Sequence, residues 1–231
     1  MYFKNFKSYF FSKIMGIYEI NLINSNHKIL FKSSSKVSFI KKPALFLDRD
    51  GVIINDAGFI SNPSDVELLP GIKNLLIASK KLGWTNIIVT NQSGIARGFF
   101  NWKDYEKVTF KILELLGKSC KIDGIYANGN APCNELPIDS WRKPNPNMIL
   151  EASSTFNIDL KNSIIIGDRI TDILSGYKAG IKNYVHVLTG HGKKERKLIL
   201  KKFSKEYNSN SLICINNLLE FPLNKLLKKI F

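Results

Sequence analysis

A chain of 231 residues that is 44% hydrophobic and 23% charged is globular, and it holds no run of about 18 apolar residues to span a membrane. Three scattered cysteines, Cys120, Cys133 and Cys214, exclude a disulfide framework and a cysteine-rich zinc site, and they suit a reducing cytoplasm. The formal charge of +15 sits in the flanks, +7 in residues 1–42 and +7 in 192–231 against +1 between; no base- or phosphate-reading module accompanies it, which disfavours a nucleic-acid partner.

Residues 1–20 are basic and aromatic, and Lys4, Lys7 and Lys13 interrupt any apolar signal core. They read as a dispensable extension, with Met15 an alternative start, or as a weakly membrane-adherent amphipathic stretch. A boundary near residue 42 separates this basic extension (1–42) from the motif-bearing domain (43–231). From there, short apolar runs alternate with helical patterns. ALFL (44–47) is a strand, and PGIKNLLIASKKLG (70–83) is a helix with Ile72, Leu75, Leu76 and Leu82 on one stripe. NIIVT (86–90) is a strand, DYEKVTFKILELLG (104–117) a helix closed by Gly117, and GIYA (124–127) a short strand before a polar loop. NPNMILEASSTFN (145–157) is a helix with Pro146 in its first turn, SIIIGD (163–168) a buried strand, and ITDILSGYKAG (170–180) a helix ending at Gly180. YVHVL (184–188) and LICI (212–215) are two further strands, with a terminal helix after them. Unalternating strands that alternate with helices predict an α/β fold: a doubly wound parallel sheet covered on both faces.

In such a sheet ligands bind beyond the carboxyl ends of the strands. ALFL ends there in Asp48, Arg49 and Asp50; NIIV ends in Thr90, Asn91, Gln92 and Ser93; SIII ends in Gly167 and Asp168, with Asp172 a turn further on. Arg142-Lys143-Pro144 precedes another helix. These are parts for phosphoryl transfer. Asp48 and Asp168 can share a Mg2+, one carboxylate can attack phosphorus, and a second two residues along can exchange protons with the leaving oxygen. A hydroxyl, amides and Lys143 can neutralise the equatorial oxygens.

LDRDG, VTNQSG, RKP and GDRITD resemble the four motifs of the haloacid dehalogenase superfamily of phosphohydrolases. The longer stretches FLDRDGVIINDAGFI, VTNQSGIARGFF, WRKPNPNM and VLTGHGKK resemble its histidinol-phosphate and D-glycero-D-manno-heptose 1,7-bisphosphate phosphatase branch, over roughly residues 43–231. The resemblance implies that Asp48 is the nucleophile and that Asp50 is the general acid, which then activates water. It implies that Asp48, Asp168 and the Asp50 carbonyl hold Mg2+, and that Thr90 and Lys143 steady the phosphoryl group. Asp56, Ala57, Gly58, Phe59, Asn91, Gln92, Ser93, Arg142 and Arg169 match positions that touch the rest of the substrate. Asp172 either supports the metal site from behind its ligands or is a helix-surface aspartate.

The segments between motifs leave no room for a cap domain, so specificity is expected from a flap (52–62) and from the loops 92–100 and 127–142. The last loop departs from the branch. Where many members hold zinc with two cysteine-containing pairs, this chain has Asn128, Asn130, Asp139 and Trp141, so no structural zinc is expected and packing by Trp141 is expected to hold the loop. His191, between two glycines, reads as a solvated turn residue with a ligand approach as the alternative. The expected substrate is a small phosphorylated metabolite, foremost a heptose 1,7-bisphosphate, then histidinol phosphate or another sugar phosphate. A nucleic-acid 3′-phosphatase and a non-catalytic binding protein are the readings from other classes. The expected state is a cytoplasmic monomer.

Overall fold

Unbroken apolar runs become strands buried on both faces, and here they build one mostly parallel sheet. The computed structural model describes residues 18–21, 28–33, 40–206 and 212–228. Its strands are β1 (Tyr18–Asn21), β2 (Lys28–Ser33), β3 (Ala44–Leu47), β4 (Thr85–Asn91), β5 (Gly124–Asn128), β6 (Ile164–Gly167), β7 (Asn183–Val187) and β8 (Leu212–Ile215). They lie in the order β1-β2-β5-β4-β3-β6-β7-β8. The six from β3 onward are mutually parallel, with Phe46 opposite both Ile87 and Ile165. The chain winds outward from β3 through β4 to β5, then crosses back to β6. The strand order therefore reverses beside β3, where a ligand crevice is expected.

Helices α1 (Ile72–Lys81) and α2 (Trp102–Leu116) cover one face, and α3 (Asn147–Phe156), α4 (Ile170–Ala179) and α5 (Gly192–Glu206) cover the other. Alternate strand residues feed the two cores. Leu45, Leu47, Ile164 and Ile166 join Leu75, Leu76, Val108 and Ile112 on the first face. Ala44, Phe46, Ile87 and Ile165 join Met148, Ala152, Ile173 and Phe203 on the second. Helix starts follow local chemistry: the Asn101 side chain accepts from the amides of Lys103 and Asp104, and Asp104 returns a bond to the Asn101 amide. The connections among residues 43–191 hold nothing larger than one helix with its loops, so no inserted domain covers the strand ends.

Two features were not anticipated. The first is an antiparallel hairpin from the N-terminal segment: β1 pairs with β2, and β2 adds to the edge of the parallel sheet by pairing with β5. The aromatic stretch at residues 1–17, with Met15, lies outside the described residues. The second is α5, which makes the crossover between β7 and β8. Its segment is so rich in lysine that Ile199 and Phe203, four apart and both fully buried, are a faint apolar stripe. The terminal helix α6 is only Leu223–Leu226, after a 3-10 turn at Leu218–Glu220. Among the described residues no helix is long and apolar enough to cross a membrane.

Phe46 fills the centre of the second core at 0% exposure. Phe46→Ala is expected to cost about 3–5 kcal/mol of unfolding free energy, read as a lowered urea midpoint with an unchanged slope.

Candidate active site

At the carboxyl end of β3 the backbone carries Asp48 beside the ends of β4 and β6. Asp48, Asp168 and Asp172 are all buried, and each offers a carboxylate oxygen within 4.8 Å of the others. One cation reaches into this cluster: Lys143 Nζ stands 2.8 Å from Asp48 Oδ1 and 2.7 Å from Asp172 Oδ1, and donates to the Val89 carbonyl at 2.8 Å. Three carboxylates against one ammonium leave excess negative charge among buried groups. Burial, then repulsion from Asp172 and Asp50 against the pull of Lys143, raises the Asp48 pKa to about 7. Burial, with Asp172 and Asp48 adding to it, raises Asp168 to about 9. Although burial works against its charge, Lys143 is held above its ordinary value by Asp172 and Asp48. Asp168 Oδ1 is buried with no hydrogen-bond partner among the described residues. An orphaned carboxylate oxygen beside excess negative charge fits a hard divalent cation.

The surrounding frame is specific. Asn91, whose position was expected to touch substrate, turns its amide onto Lys143: Nδ2 donates to the Lys143 carbonyl and Oδ1 accepts from the Lys143 amide, each at 3.1 Å. Gln92 Nε2 lies 2.8 Å from both Asp50 Oδ2 and Thr90 Oγ1, joining the two strand ends. Asp50 also accepts a fork from its neighbour Arg49. Asp172 is 1% exposed and accepts from the Arg169 amide at 2.9 Å, so it is not a helix-surface aspartate. Ser93 is half-buried, and Arg169 and Ala57, Gly58 and Phe59 of the flap are exposed.

Several contributors have partners that were not foreseen. His191 was expected to be solvated, yet its amide donates to Asp168 Oδ2 at 2.6 Å and its Nε2 lies 3.1 Å from Asp56 Oδ2, linking the acidic cluster to the flap. Glu195 caps α4 by accepting from the Ile170 amide at 2.9 Å. Arg196 Nε donates to His186 Nδ1 at 2.8 Å, which leaves His186 Nε2 protonated to donate to the Asp168 carbonyl at 2.9 Å. Burial, assisted by the Arg196 charge, holds this imidazole down at about 4, in its neutral form. At the rim, Phe59 of the flap packs on Phe99 with centroids 4.7 Å apart, and the Arg97 guanidinium lies 5.9 Å from the Phe59 ring. Burial, and then the like charges of Arg169 and Arg97, lower the Arg142 pKa against an opposing effect of Cys133.

The atypical loop is held by more than packing. Trp141 is buried against Tyr126 with centroids 5.5 Å apart, as expected. Side-chain amides do the rest: Asn147 Nδ2 donates to the carbonyls of Ile138 and Ser140, and Asn145 Nδ2 donates to that of Pro137. Arg142 Nη1 donates to the Asn130 carbonyl at 2.6 Å. Asn128 is buried and accepts from the Asn130 amide, whereas Asp139 is exposed.

A HAD-hydrolase-like family model matches residues 140–212. The chain is 43% identical over 142 residues to a D-glycero-beta-D-manno-heptose-1,7-bisphosphate 7-phosphatase of Helicobacter pylori, covering 61% of this chain and 80% of that protein. It is 39% identical over 147 residues to a D-glycero-alpha-D-manno-heptose-1,7-bisphosphate 7-phosphatase of Burkholderia mallei, covering 62% and 78%. Among solved structures, a D,D-heptose 1,7-bisphosphate phosphatase of B. bronchiseptica complexed with magnesium and phosphate is 25% identical with a TM-score of 0.68, over 80% of this chain and 98% of that one.

Gly190, at φ +56, brings its backbone against Gly51, and a Cβ there would stand 2.3 Å from Asp168 Oδ2 and 2.8 Å from Gly51 Cα. Gly190→Ala must displace that carboxylate. Calorimetric titration with Mg2+ is expected to show affinity lowered about tenfold or more, with the circular dichroism spectrum preserved.

Proposed function

Because the chain belongs to the haloacid dehalogenase superfamily, in the branch of the heptose 1,7-bisphosphate phosphatases, we propose that it removes the 7-phosphate of D-glycero-D-manno-heptose 1,7-bisphosphate through an aspartyl-phosphate intermediate. The observation that carries this reading is Asp48, buried at the strand end with Oδ1 held by Lys143 and with the orphaned oxygen of Asp168 beside it.

Lys143 fixes Oδ1, which leaves Asp48 Oδ2 to attack phosphorus. The new bond to Asp48 forms as the bond to the sugar C7 oxygen breaks, and Asp50 gives that oxygen its proton. Asp50, now a carboxylate, takes a proton from water as the water oxygen attacks the phosphoryl group. Orthophosphate leaves and Asp48 is regenerated. The Thr90 hydroxyl, whose oxygen accepts from Gln92, donates to an equatorial phosphoryl oxygen, and Lys143 faces the same charge. Asp48, Asp168 and the Asp50 carbonyl would hold Mg2+, which supplies positive charge against the nucleophile and the phosphoryl oxygens; Asp172 anchors Lys143 behind them.

Asp56 to Phe59, Ser93, Arg142 and Arg169 face the remainder of the substrate in this reading, and their polar and cationic character suits a second phosphate, whereas Gln92 is buried against Asp50 and Thr90. Asn128, Asn130, Asp139 and Trp141 are not a tetrahedral N/S donor set, and we expect no zinc there. Residues 43–231 form the catalytic unit, and the protein works as a cytoplasmic monomer on a small phosphorylated sugar.

Phosphate release with Mg2+ tests the reading. The panel holds both anomers of the heptose bisphosphate, histidinol phosphate, fructose 1,6-bisphosphate and a 3′-phosphorylated oligonucleotide. A preference of about a hundredfold for a heptose bisphosphate is expected, the size of discrimination that about 2.7 kcal/mol of differential transition-state binding supplies. Asp48→Asn is expected to abolish turnover while the thermal melt remains cooperative. Even, feeble rates across the panel would overturn the substrate, and wild-type rates in Asp48→Asn would overturn the nucleophile.

A further inference from the structure

Between the two aspartates of LDRDG sits an arginine for which the proposed chemistry has no step. Arg49 is 2% exposed, unusual for a side chain that stays charged at any working pH. Its guanidinium lies 5.3 Å from the centroid of Tyr105, a fully buried residue of α2. Its side-chain hydrogen bonds among the described residues all go to Asp50: Nη2 to Oδ1 at 2.9 Å, and Nε to Oδ2 at 3.1 Å and Oδ1 at 3.2 Å. Neighbouring residues on an extended strand point to opposite faces, so a fork between them requires the chain to turn. The turn is present. The amides of Ile53 and Ile54 both donate to the Arg49 carbonyl, and Gly51 takes φ +79.

Resting on the phosphatase reading above, we infer that Arg49 is a positioning residue that aims the Asp50 carboxyl at the leaving oxygen. Two planar donors in a fork fix both the place and the plane of a carboxyl group, as a single donor cannot. Without the fork the Asp50 side chain keeps, among the described residues, one bond, from a Gln92 amide that also serves Thr90. Tyr105 completes the device, because its ring seats the guanidinium from beneath and ties its position to α2.

The test separates aiming from mere packing. Arg49→Lys keeps the charge and loses the fork. Its kcat/KM is measured on an alkyl phosphate, whose leaving oxygen needs a proton, and on p-nitrophenyl phosphate, whose leaving group does not. Positioned proton transfer contributes about 10²–10⁴-fold, so the alkyl ester is expected to lose about 30-fold more than the aryl ester. The ratio of the two does not depend on how much of the preparation is folded. Asp50→Asn is expected to show the same selective loss, and Arg49→Lys combined with Asp50→Asn no further change in the ratio. If Arg49→Lys does not fold, Tyr105→Leu, which removes the seat and leaves the fork donors, is expected to lower the alkyl-to-aryl ratio in the same direction. Equal losses on both esters, or additive losses in the double variant, would overturn the assignment. A wild-type protein inactive on every phosphomonoester would instead overturn the phosphatase reading on which it rests.

Discussion

The site depends on one buried ammonium shared by two carboxylates. Lys143 stands between Asp48 and Asp172 and donates its third proton to the Val89 carbonyl. It thereby joins β3, β4 and α4 at the end of the sheet. Such a cation is stable only while its acceptors stay put, and removing one partner of a buried pair costs far more than the pair contributes. Its backbone is accordingly clamped from both sides by the Asn91 amide. A longer or looser connection before α3 would let the ammonium leave, and the carboxylates would then take up protons. In the proposed chemistry a protonated Asp48 would be no nucleophile, and the pull of Lys143 works against the rise in its pKa that burial causes.

A second frame serves Asp168, and it comes from the start of α5. The His191 amide holds one carboxylate oxygen, the Arg196–His186 pair holds the Asp168 carbonyl, and Glu195 caps the adjoining helix. The close approach of Gly51 and Gly190 lets this layer sit against the β3 turn. One oxygen of Asp168 is thus fixed by protein while the other has no hydrogen-bond partner among the described residues. A lysine-rich surface helix accordingly has an inner turn devoted to the site.

What the sequence made legible was the part governed by unbroken apolar runs and by motifs at their ends. β3, β4, β6 and the polar residues after them stand where ALFL, NIIVT and SIIIG placed them, because strands buried on both faces leave a plain compositional trace. α5 left almost none, since two buried side chains suffice to dock it and lysines fill the rest. The β1–β2 hairpin was missed because short edge strands are specified by pairing across the sheet, and one sequence does not reveal its partner. Among site residues, Asn91 was found but its direction was not. Arg97 escaped, and Arg49 and His191 were noted without their partners, because these contacts lie with residues far along the chain or around a turn: Phe59, Tyr105 and Asp56 respectively.

This division of labour accounts for how the atypical loop can change without loss of the chemistry. The groups that would touch phosphorus are buried, Asp48 and Thr90 at strand ends and Lys143 in the clamped connection before α3. Those that would meet the rest of the substrate stand on the flap and loops, which touch one another through Phe59 and Phe99 and through the His191–Asp56 pair. Asn145 and Asn147 hold the 127–142 loop by bonding its carbonyls, a task that elsewhere a metal could perform. Neutral amides hold a loop without fixing a charge beside it, and among the described residues the Arg142 guanidinium is answered by the Asn130 carbonyl. In the proposed reading its charge would meet an anionic substrate group, which would offset the like charges of Arg169 and Arg97.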